Sequence, residues 1–406
     1  MINVIGLGYI GLPTALMFAK SGVKVVGTDY NKELIYSLNE GKLTFEEKGL
    51  EKLFKDAISN GIEFSTEYQK VDAYIIAVPT PYIKESKKLD QKHLISAINS
   101  VLNVCEKGAI LIIESTVSPG TIDKYIRSEI EKRGFKIGQD VHLVHAPERI
   151  IPGNMIYELE HNSRTIGADD LKVGEQVKAL YSSFCKAEIV VTDIRSAEMS
   201  KVVENTYRDI NIAFANELAK ICRVDNMDVY EIIRIANKHP RVNILQPGPG
   251  VGGHCISVDP WFLVGDYPDL TNMILTARKT NDSMPRHVLG RIRDIMREHG
   301  INDISKVGLY GLAYKENVDD TRESPTLQLL QRMDEHLAFG VKVFDPFVKT
   351  RIVDHQFMNF EDFINEIQIL VIMVAHDHIK ENMDLIKDKL VLDTKDICRF
   401  DGAYKL

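Results

Sequence analysis

The glycine run directly after the first apolar segment limits the fold of this chain more than any other feature. Ile2–Ile5 is typical of a short buried strand, and Gly6-x-Gly8-x-x-Gly11 follows it at once, with Pro13 just inside the next helix. In this setting the first glycine permits a tight turn, the second lets the backbone approach a pyrophosphate, and the third lets helix pack on strand. The pattern predicts a dinucleotide-binding strand–turn–helix unit.

Asp29, at the end of the next apolar run, indicates which dinucleotide binds. It follows Gly11 by eighteen residues. A carboxylate at this place can bind both ribose hydroxyls and would repel a 2′-phosphate, which favours NAD over NADP. A glycine-rich structural turn with a solvated aspartate is the alternative, and FAD shares the fingerprint, although the chain shows no further flavin signature. We therefore expect NAD as the cofactor.

Alternating apolar runs and amphipathic segments predict the fold class. They occupy the first half of the chain, give way near Arg195 to one long helical pattern, and resume after Ser305. We expect an α/β protein with two Rossmann-like doubly wound domains joined by a central helical domain with a long helix. The predicted domains are 1-194, 195-300 and 301-406. The predicted strands are Ile2–Ile5, Val23–Thr28, Ala73–Val78, Ala109–Glu114, Val141–His145, Lys306–Tyr310, Val341–Phe344, Gln368–Ala375 and Leu390–Asp393.

The middle region is expected to be all-helical. Apolar residues recur there at helical spacing, which favours packing in a core or against a second copy over a coiled-coil partner site. A further helix is expected over Thr271–His299, broken near Pro285. The residues of the apolar stripe are Val203, Tyr207, Ile210, Phe214, Leu218 and Ile221.

Composition excludes several functional classes. The 406 residues carry a net charge of −8, which leaves no broad basic face for nucleic acid. The five cysteines are scattered and odd in number, so neither a disulfide framework nor a zinc site is implied, and a cytoplasmic location is expected. The apolar runs are too short for a membrane span. His376-Asp377-His378 lacks a signalled third ligand, so we expect a polar strand end and no metal.

Pro247–Cys255 is the stretch least suited to regular structure. Its glycines let backbone N–H groups approach a ligand closely, and a cysteine at the end of such a loop is poorly explained as core filler. As a thiolate, Cys255 could attack a carbonyl carbon. We expect the other four cysteines to be inert. On the long helix, Lys201, Asn205 and Arg208 share one face, either solvated or presenting an ammonium and an amide to a developing oxyanion.

The chain resembles the UDP-glucose/GDP-mannose dehydrogenase family over nearly its whole length, through eight motifs in the family's order. They are Gly6-Leu-Gly-Tyr-Ile-Gly11, Val78-Pro-Thr-Pro81, Glu114-Ser-Thr116, Ala146-Pro-Glu-Arg149, Glu198-Met-Ser-Lys201, Glu204-Asn-Thr-Tyr207, the Cys255 loop and Asp320-Thr-Arg-Glu-Ser-Pro325. The resemblance implies an NAD-binding first domain, a central domain that carries Lys, Asn and Cys and forms a homodimer, and a C-terminal UDP-sugar-binding domain.

The family resemblance also implies a reaction. The C6 alcohol of a nucleotide sugar would lose four electrons to two NAD⁺, first giving an aldehyde. Cys255 would then form a thiohemiacetal and, after the second oxidation, a thioester that water hydrolyses to the uronic acid. A nucleophile is unnecessary for one alcohol oxidation but useful for reaching the acid. The interpretation of Cys255 as a nucleophile, made from the residues alone, therefore agrees with the reaction that the resemblance implies.

The resemblance assigns roles to particular residues. Lys201 would be the acid/base or oxyanion-stabilising group with Asn205 as its partner, and Asp259 would activate or position the hydrolytic water. Thr116 and Glu148 would lie between nicotinamide and substrate. The implied NAD contacts are Gly6, Gly8, Tyr9, Ile10, Gly11, Asp29, Thr80, Thr116 and Arg322. The implied substrate contacts are Arg149, Ile150, Lys201, Asn205, Arg208, His239, Arg241, Gly252 and Lys315. The family's dimer could supply Arg241 from the second subunit.

One departure from the family pattern bears on the sugar. UDP-glucose dehydrogenases have a lysine just before the aspartate at position 259, where this chain has Val258. With His254 before the cysteine and His239-Pro-Arg-Val-Asn243, this favours an N-acetylated sugar. UDP-N-acetyl-D-mannosamine is expected, with UDP-N-acetylglucosamine as the alternative.

Two rival functions share parts of the pattern. A two-electron dehydrogenase of the 3-hydroxyacid or 6-phosphogluconate type also has a catalytic lysine, but it explains neither the Cys255 loop nor the second α/β domain. A non-catalytic NAD-sensing protein would give no reason for Lys201, Asn205, Cys255 and Asp259 to occur together.

Overall fold

The computed structural model describes residues 1–336 and 338–406, and the chain divides into two compact units, Met1–Glu204 and Asn205–Leu406. The division falls inside one helix of 31 residues, Ile194–Val224. Each unit contains one sheet and its own apolar core. The three predicted domains, 1-194, 195-300 and 301-406, stay a prediction, because compactness alone separates only two parts.

The first unit contains an eight-stranded sheet. Its strands are β1 (Ile2–Ile5), β2 (Val25–Thr28), β3 (Glu63–Ser65), β4 (Ala73–Ile76), β5 (Ala109–Ile113), β6 (Val141–His145), β7 (Arg164–Ala168) and β8 (Ile189–Thr192). They lie in the order β3-β2-β1-β4-β5-β6-β7-β8, and every pair is parallel except β6 with β7. The strand order reverses direction between β1 and β4, which is where ligands bind in open sheets of this kind.

The helices of the first unit connect these strands. They are α1 (Gly11–Lys20), α2 (Lys32–Asn39), α3 (Leu50–Ser59), α4 (Lys92–Leu102), α5 (Arg127–Lys132, after a π-helical turn at Ile122–Ile126), α6 (Met155–His161), α7 (Leu171–Tyr181) and the start of α8 (Ile194–Val224). All of β1 is buried, as is α1 from Gly11 to Ala19, because an apolar strand and an apolar helix face each other across the glycine turn.

The second unit contains the rest of α8 and a six-stranded parallel sheet. Its helices are α9 (Val229–Ala236), α10 (Asp259–Asp266), α11 (Asn272–Asp282), α12 (Met284–Glu298), α13 (Pro325–Glu335), α14 (Phe360–Glu366) and α15 (Asp377–Glu381). Its strands are β9 (Val307–Tyr310), β10 (Lys342–Phe344), β11 (Gln356–Phe357), β12 (Ile369–Ile372), β13 (Leu390–Asp393) and β14 (Tyr404–Lys405). The order is β11-β10-β9-β12-β13-β14.

The predicted fold class is confirmed: both sheets are doubly wound, and the long helix is present. The predicted break near Pro285 is also confirmed, since α11 ends at Asp282 and Pro285 lies in the first turn of α12. There its missing N–H removes no helical hydrogen bond.

Some local predictions in the second unit were wrong. The strand expected over Gln368–Ala375 is β12, which ends at Ile372, because the apolar run continues as buried loop. His376 does not end a strand at a polar surface. It is fully buried and stands at the start of α15.

Candidate active site

The first sheet gathers five sequence motifs at one edge. The loops after β1, β2, β4, β5 and β6 all leave the carboxyl ends of neighbouring parallel strands, so they lie side by side. These loops begin with Gly6, Asp29, Ala77, Glu114 and Ala146.

The glycine turn is as tight as its sequence predicts. A Cβ on Gly6, whose φ is +87°, would lie 2.7 Å from the Ala77 carbonyl oxygen, and one on Gly11 would lie 1.8 Å from the Gly6 oxygen. A Cβ on Gly8 would meet no described atom within 4 Å, so the backbone there faces open space. Ile10 gives α1 no side-chain cap, and its first turn contains no acidic residue. The helix N-terminus is thus suited to a pyrophosphate.

The Asp29 carboxylate is fixed beside this turn. Its Oδ2 accepts a hydrogen bond of 2.8 Å from the Leu7 N–H, and its Oδ1 accepts one of 2.9 Å from the Asn31 N–H. The side chain stays half-buried, which leaves the carboxylate accessible to a ribose. These residues fit NAD, and Gly6, Gly8, Tyr9, Ile10, Gly11 and Asp29 would hold it.

Two threonines join the loops after β4 and β5. Thr80 Oγ1 donates a hydrogen bond of 2.7 Å to the carbonyl oxygen of Thr116. Ser115 Oγ donates one of 2.6 Å to the Val78 oxygen. These bonds fix the position of Thr116 relative to Thr80 at the edge that carries the glycine turn.

Glu148 is held from three directions. Its side chain is buried, and Oε1 accepts hydrogen bonds from the N–H groups of Arg149 at 2.6 Å and Ile150 at 3.1 Å. Oε2 accepts a hydrogen bond from Nη2 of Arg164. The carboxylate therefore has one fixed orientation.

The Arg149 guanidinium is already engaged within its unit. Nη1 donates to the Ser163 carbonyl oxygen at 2.9 Å, and Nη2 donates to Thr165 Oγ1 at 2.9 Å. Nη2 also lies 2.7 Å from Glu204 Oε1. A substrate contact by the Arg149 side chain, as predicted, would have to share or replace one of these partners.

The helix α8 carries Lys201 in the first unit, where the side chain is buried. Glu198, one turn earlier, accepts hydrogen bonds from the N–H groups of Gly120 at 2.6 Å and Ile122 at 2.9 Å. Burial raises the pKa of Glu198 to about 7, against those two bonds. Glu198 thus caps the π-helical turn, whereas Lys201 is available for another role.

In the second unit the cysteine loop packs on the segment after β9. A Cβ on Gly252 would lie 2.7 Å from the Glu323 carbonyl oxygen, and one on Gly253 would lie 2.8 Å from the Tyr314 ring. The Gly253 N–H donates a hydrogen bond of 2.9 Å to the Arg322 oxygen. Glycine is therefore required at both positions by close approach, which brings Tyr314 next to the cysteine loop.

Cys255 lies one turn before a buried polar pair. Its carbonyl oxygen accepts the N–H of Asp259 at 2.9 Å, at the start of α10. Asn205 Nδ2 donates a hydrogen bond of 2.6 Å to Asp259 Oδ2, and both side chains are buried. Cys255 itself is half-buried. Three of the predicted catalytic residues are thus neighbours.

The remaining predicted contacts of the second unit are spread over two loops. The Arg241 N–H donates to Nδ1 of His239 at 3.3 Å, and both residues are exposed on the turn after α9.

The loop after β9 holds a second group of these residues. The Arg322 guanidinium binds Asp320 through Nε at 2.9 Å and Nη2 at 2.6 Å. Burial raises the pKa of Tyr314 well above its ordinary value, and the nearby Asp320 and Cys255 raise it further. Arg208 is exposed, and Lys315 is half-buried.

Several residues that shape these sites carried no signal in the sequence. Arg164 binds Glu148, Tyr181 binds Glu114, and Tyr314 packs against Gly252 and Gly253. None of them belongs to a periodic pattern or a motif, since their partners lie far away in sequence.

Two kinds of feature are absent from the described residues. Residues 1–336 and 338–406 contain no cluster of three His, Cys, Asp or Glu side chains placed to hold a metal ion. Among the same residues no helix combines the length and apolarity needed to cross a bilayer.

Comparison with known protein families matches three family models in sequence order. They are the NAD binding domain of the UDP-glucose/GDP-mannose dehydrogenase family over residues 1–185, its central domain over 195–283 and its UDP binding domain over 308–400. Together they cover most of the chain, and the first agrees with the expected cofactor.

Individual relatives align over nearly the full length. A UDP-N-acetyl-D-mannosamine dehydrogenase of Methanocaldococcus jannaschii is 43% identical, over 98% of this chain and 92% of the relative. An NDP-N-acetyl-D-galactosaminuronic acid dehydrogenase of Ralstonia nicotianae is 38% identical, over 97% of this chain and 95% of the relative. The solved UDP-N-acetyl-mannosamine dehydrogenase of Staphylococcus aureus is 40% identical with a TM-score of 0.89, covering 100% of this chain and 97% of that one.

Proposed function

The chain belongs to the UDP-glucose/GDP-mannose dehydrogenase family and is an NAD-dependent nucleotide-sugar dehydrogenase, and we propose that it oxidises UDP-N-acetyl-D-mannosamine to UDP-N-acetyl-D-mannosaminuronate. The glycine turn and Asp29 would hold NAD⁺, which when bound would supply the hydride acceptor for each of the two oxidations at C6. The two-electron dehydrogenases and the non-catalytic NAD sensor lose their support, because three models of one dehydrogenase family match the chain.

Cys255 is the residue that forms the covalent intermediates. After the first oxidation, Cys255 Sγ adds to the C6 aldehyde carbon and forms a thiohemiacetal. The second oxidation converts it to a thioester. Water then attacks the thioester carbon, the C–S bond breaks, and the carboxylate leaves while the thiol is restored.

Charged and polar groups assist these steps. The Lys201 ammonium stabilises the oxygen that develops negative charge, or exchanges its proton, with the Asn205 amide beside it on α8. Asp259 positions the hydrolytic water. Thr116 and Glu148 lie between nicotinamide and sugar in this proposal, with Glu148 facing the reacting oxygen or the water.

One observation carries the proposal: a half-buried thiol stands one helical turn from a buried carboxylate that an amide holds in place. The Cys255 carbonyl oxygen accepts the Asp259 N–H at 2.9 Å, and Asn205 binds the Asp259 carboxylate at 2.6 Å. Simple alcohol oxidation needs no such nucleophile. A thiol is useful for reaching the acid, because the thiohemiacetal that it forms with the aldehyde can lose the second hydride.

The choice of sugar depends on the cysteine loop and on the relatives. Val258 replaces the lysine of UDP-glucose dehydrogenases, and relatives that are 43% and 40% identical are named for N-acetylmannosamine. The Ralstonia relative, 38% identical, favours an N-acetylgalactosamine nucleotide as a second candidate. UDP-N-acetylglucosamine, which differs from the proposed substrate at C2 alone, is the remaining candidate.

The test is the amount of NADH formed per sugar consumed by the purified protein. The panel contains the UDP derivatives of N-acetylmannosamine, N-acetylglucosamine, N-acetylgalactosamine and glucose. We expect two NADH per sugar with the mannosamine compound and far slower turnover with the others. Faster turnover of another sugar would reassign the substrate, and one NADH per sugar would rule out the acid product.

A cysteine variant tests the covalent step. Cys255→Ser should stop at or before the aldehyde, with at most one NADH per sugar. Cys105→Ser is the matched control, because Cys105 is also half-buried, and it should keep two. A Cys255→Ser enzyme that still formed two NADH per sugar at the wild-type rate would exclude the thioester.

We also propose that the enzyme is a homodimer formed through α8. The stripe predicted to pack is largely exposed in the single chain, with 60% of Tyr207 and 53% of Phe214 accessible. Light scattering should give twice the mass of one chain for the wild type and one chain for Phe214→Glu. Ile58→Glu, at an exposed apolar residue of α3, is the control that should stay dimeric. A dimeric Phe214→Glu variant would move the interface elsewhere.

A further inference from the structure

A single buried cation lies between two buried carboxylates at the edge of the first sheet. Arg164 is 4% exposed, Glu114 is 1% exposed and Glu148 is 6% exposed. Nη2 of Arg164 donates to Oε2 of Glu148, while Nη1 lies 3.7 Å from Oε1 of Glu114. The arginine begins β7, which runs antiparallel to β6, so it stands beside the end of the strand that leads to Glu148.

The two carboxylates accept different numbers of hydrogen bonds from the protein. Glu148 accepts three hydrogen bonds, from Arg164 and from the N–H groups of Arg149 and Ile150. Glu114 accepts one, of 2.9 Å, from the Tyr181 hydroxyl to Oε1. Among the described residues, its Oε2 is buried with no hydrogen-bond partner. A bare carboxylate oxygen in that position is costly, whereas a carboxylic acid O–H there is far less so.

Charge balance leads to the same assignment. One guanidinium can neutralise one carboxylate, and the other ionisable groups around it, Tyr181 and Cys185, supply no positive charge. The Arg164 guanidinium lies 4.6 Å from the centre of the Tyr181 ring and 5.4 Å from that of Phe184, so aromatic rings flank this buried group. Two ionised glutamates would leave a net negative charge in a dry site.

We propose that Glu114 is a neutral carboxylic acid and that it leaves Arg164 free to act as a positioning residue, which holds the Glu148 carboxylate in one orientation. This deepens the proposed function, on which the role of Glu148 in the reaction rests. In this arrangement Tyr181 donates to Oε1 of Glu114, and the proton of Glu114 resides on Oε2. The Thr14 hydroxyl on α1 is close to the same carboxyl group, where as a donor it lowers the pKa of Glu114. With Glu114 neutral, that hydroxyl would accept the proton of Oε2 instead.

The titration of Glu114 agrees with this geometry. Burial and the charge of Glu148 together raise the pKa of Glu114 to about 8, although Arg164, Tyr181 and Thr14 oppose the rise. Burial also raises the pKa of Tyr181 well above its usual value, so the phenol stays a donor. Above about pH 8, an ionised Glu114 would compete for Arg164 and loosen its hold on Glu148.

The protonation of Glu114 has a consequence for stability that does not involve catalysis. An unfolded glutamate loses its proton near its ordinary pKa of 4.5, whereas the folded one keeps it to about 8. Between these values the folded chain binds the extra proton, so its stability falls as pH rises. Glutamine resembles the neutral acid in shape and does not titrate. Glu114→Gln should lack this fall.

The first experiment is a melting curve at several pH values for wild type, Glu114→Gln and the control Glu175→Gln, which changes an exposed glutamate of α7. From about pH 5 to about pH 8, the melting temperature of the wild type should fall relative to that of Glu114→Gln. The Glu175→Gln curve should follow the wild type. If Glu114→Gln also keeps the wild-type pH dependence, Glu114 is ionised and the proposal is wrong.

The second experiment measures kcat against pH for the same proteins with the preferred sugar. The ratio of Glu114→Gln to wild type should grow by about tenfold for each pH unit above about 8, as Glu114 of the wild type ionises. A constant ratio would show that Glu114 does not affect the reaction through its charge. Glu175→Gln is again the control.

A double-mutant cycle tests whether Arg164 acts through Glu148. Arg164→Lys keeps the charge but loses the planar fork, and it should lower kcat on the order of a hundredfold with little change in the Kd of NAD. In a Glu148→Gln background it should cost almost nothing more. Additive losses would refute the positioning role. Full activity of Glu148→Gln would instead refute the catalytic role of Glu148, while the melting curves would still report the proton of Glu114.

Discussion

The two sheets share one topology but use the first connection differently. Counted from its own first strand, each sheet begins in the order 3-2-1-4-5-6. In the first sheet, only the glycine turn separates β1 from α1, which begins at Gly11. In the second, a long loop separates β9, which ends at Tyr310, from α13, which begins at Pro325. The short turn presents a helix N-terminus, whereas the long loop presents side chains such as Lys315 and Arg322.

An aspartate follows the second strand of each sheet, and both bind the loop after the first strand. Asp29 accepts the Leu7 N–H at 2.8 Å. Asp345 accepts the N–H groups of Leu312 at 2.6 Å and Ala313 at 2.9 Å. The difference is in what remains: Asp29 is half-buried and open to a ligand, whereas Asp345 is fully buried and also faces His376.

The comparison of Asp29 with Asp345 shows that sheet topology and residue type do not by themselves make a nucleotide-binding site. The carboxylate must also be accessible to a ligand. The helix that follows the first strand must also have no side-chain cap on its N-terminal N–H groups, as in α1. The first sheet meets both conditions. In the second, the donors of the chain itself occupy the carboxylate, so that aspartate serves the fold.

The largest effect is expected at the glycine turn. Gly11→Ala would place a Cβ 1.8 Å from the Gly6 oxygen, so the backbone must move. We expect a loss of about 3 kcal/mol or more in the free energy of unfolding, together with loss of NAD binding. Gly8→Ala meets open space, so it should keep the wild-type melting temperature but weaken NAD binding at least tenfold.

Denaturant unfolding and calorimetric titration with NAD measure the two quantities. Gly402→Ala, at another open glycine in the second unit, controls for the added methyl group, although its positive φ will cost a little stability. A Gly11→Ala protein that unfolded like wild type would show that the turn can relax, and the first connection would then differ less from the second than the structure indicates.

The two aspartates should respond in opposite ways to the same substitution. Asp345→Asn puts an NH₂ group against buried donors, since Oδ1 accepts two backbone N–H groups and Oδ2 accepts the others. We expect it to lose about 2–3 kcal/mol of unfolding free energy. Asp29→Asn should lose less than about 1 kcal/mol, because water can reach that site, yet should weaken NAD binding. The reverse result would mean that accessibility is not what separates them.

Acid should affect the two units unequally, because each contains one fully buried histidine. His376 Nε2 lies 3.2 Å from Oδ2 of Asp345, and Nδ1 accepts the Asn317 N–H at 2.9 Å, so both ring nitrogens have partners. The His145 Nδ1–H donates a hydrogen bond of 2.8 Å to the Ile113 carbonyl oxygen, and Nε2 has no partner among the described residues. Burial lowers the pKa of His145 from 6.5 to about 4, although its bond to Ile113 opposes this.

In the unfolded chain His145 binds a proton near pH 6.5, whereas in the folded chain it stays neutral down to about pH 4. The unfolded state therefore binds more protons between these values, and the free energy of unfolding falls as pH falls through this range. Relative to His145→Asn, the wild type should lose about 2 kcal/mol between about pH 6.5 and pH 5, at 1.36 kcal/mol per unit. Unfolding free energies at both pH values give the difference. A difference that does not change with pH would mean that His145 is protonated in the fold.

The sequence predicted features that are encoded locally. The glycine turn, Asp29 and the alternation of strands and helices each depend on residues within a few turns of one another, so spacing alone reveals them. Strand ends were less predictable: β4 was expected to reach Val78 but ends at Ile76, because the apolar run continues into a half-buried loop.

Contacts between distant residues could not be predicted. Tyr181 binds Glu114 across 67 positions, and His376 faces Asp345 across 31. Such pairs form only when the sheet brings separate strands together, and no periodicity records them. The grouping of Cys255, Asn205 and Asp259 was expected from a family resemblance, and the hydrogen bond that links the last two is visible only in the fold.

The smallest effect is expected at the first turn of α13. Ser324 caps this helix, since its Oγ accepts the Thr326 N–H at 3.2 Å, whereas Ile10 gives α1 no such cap. Ser324→Ala should lower the unfolding free energy by about 1 kcal/mol and leave the Kd of NAD unchanged. Ser59→Ala, at an exposed serine that ends α3, should cost less. If Ser324→Ala were as stable as wild type, the start of α13 would be as open as that of α1. Its long loop would then have to explain by itself why the second sheet lacks the dinucleotide fingerprint.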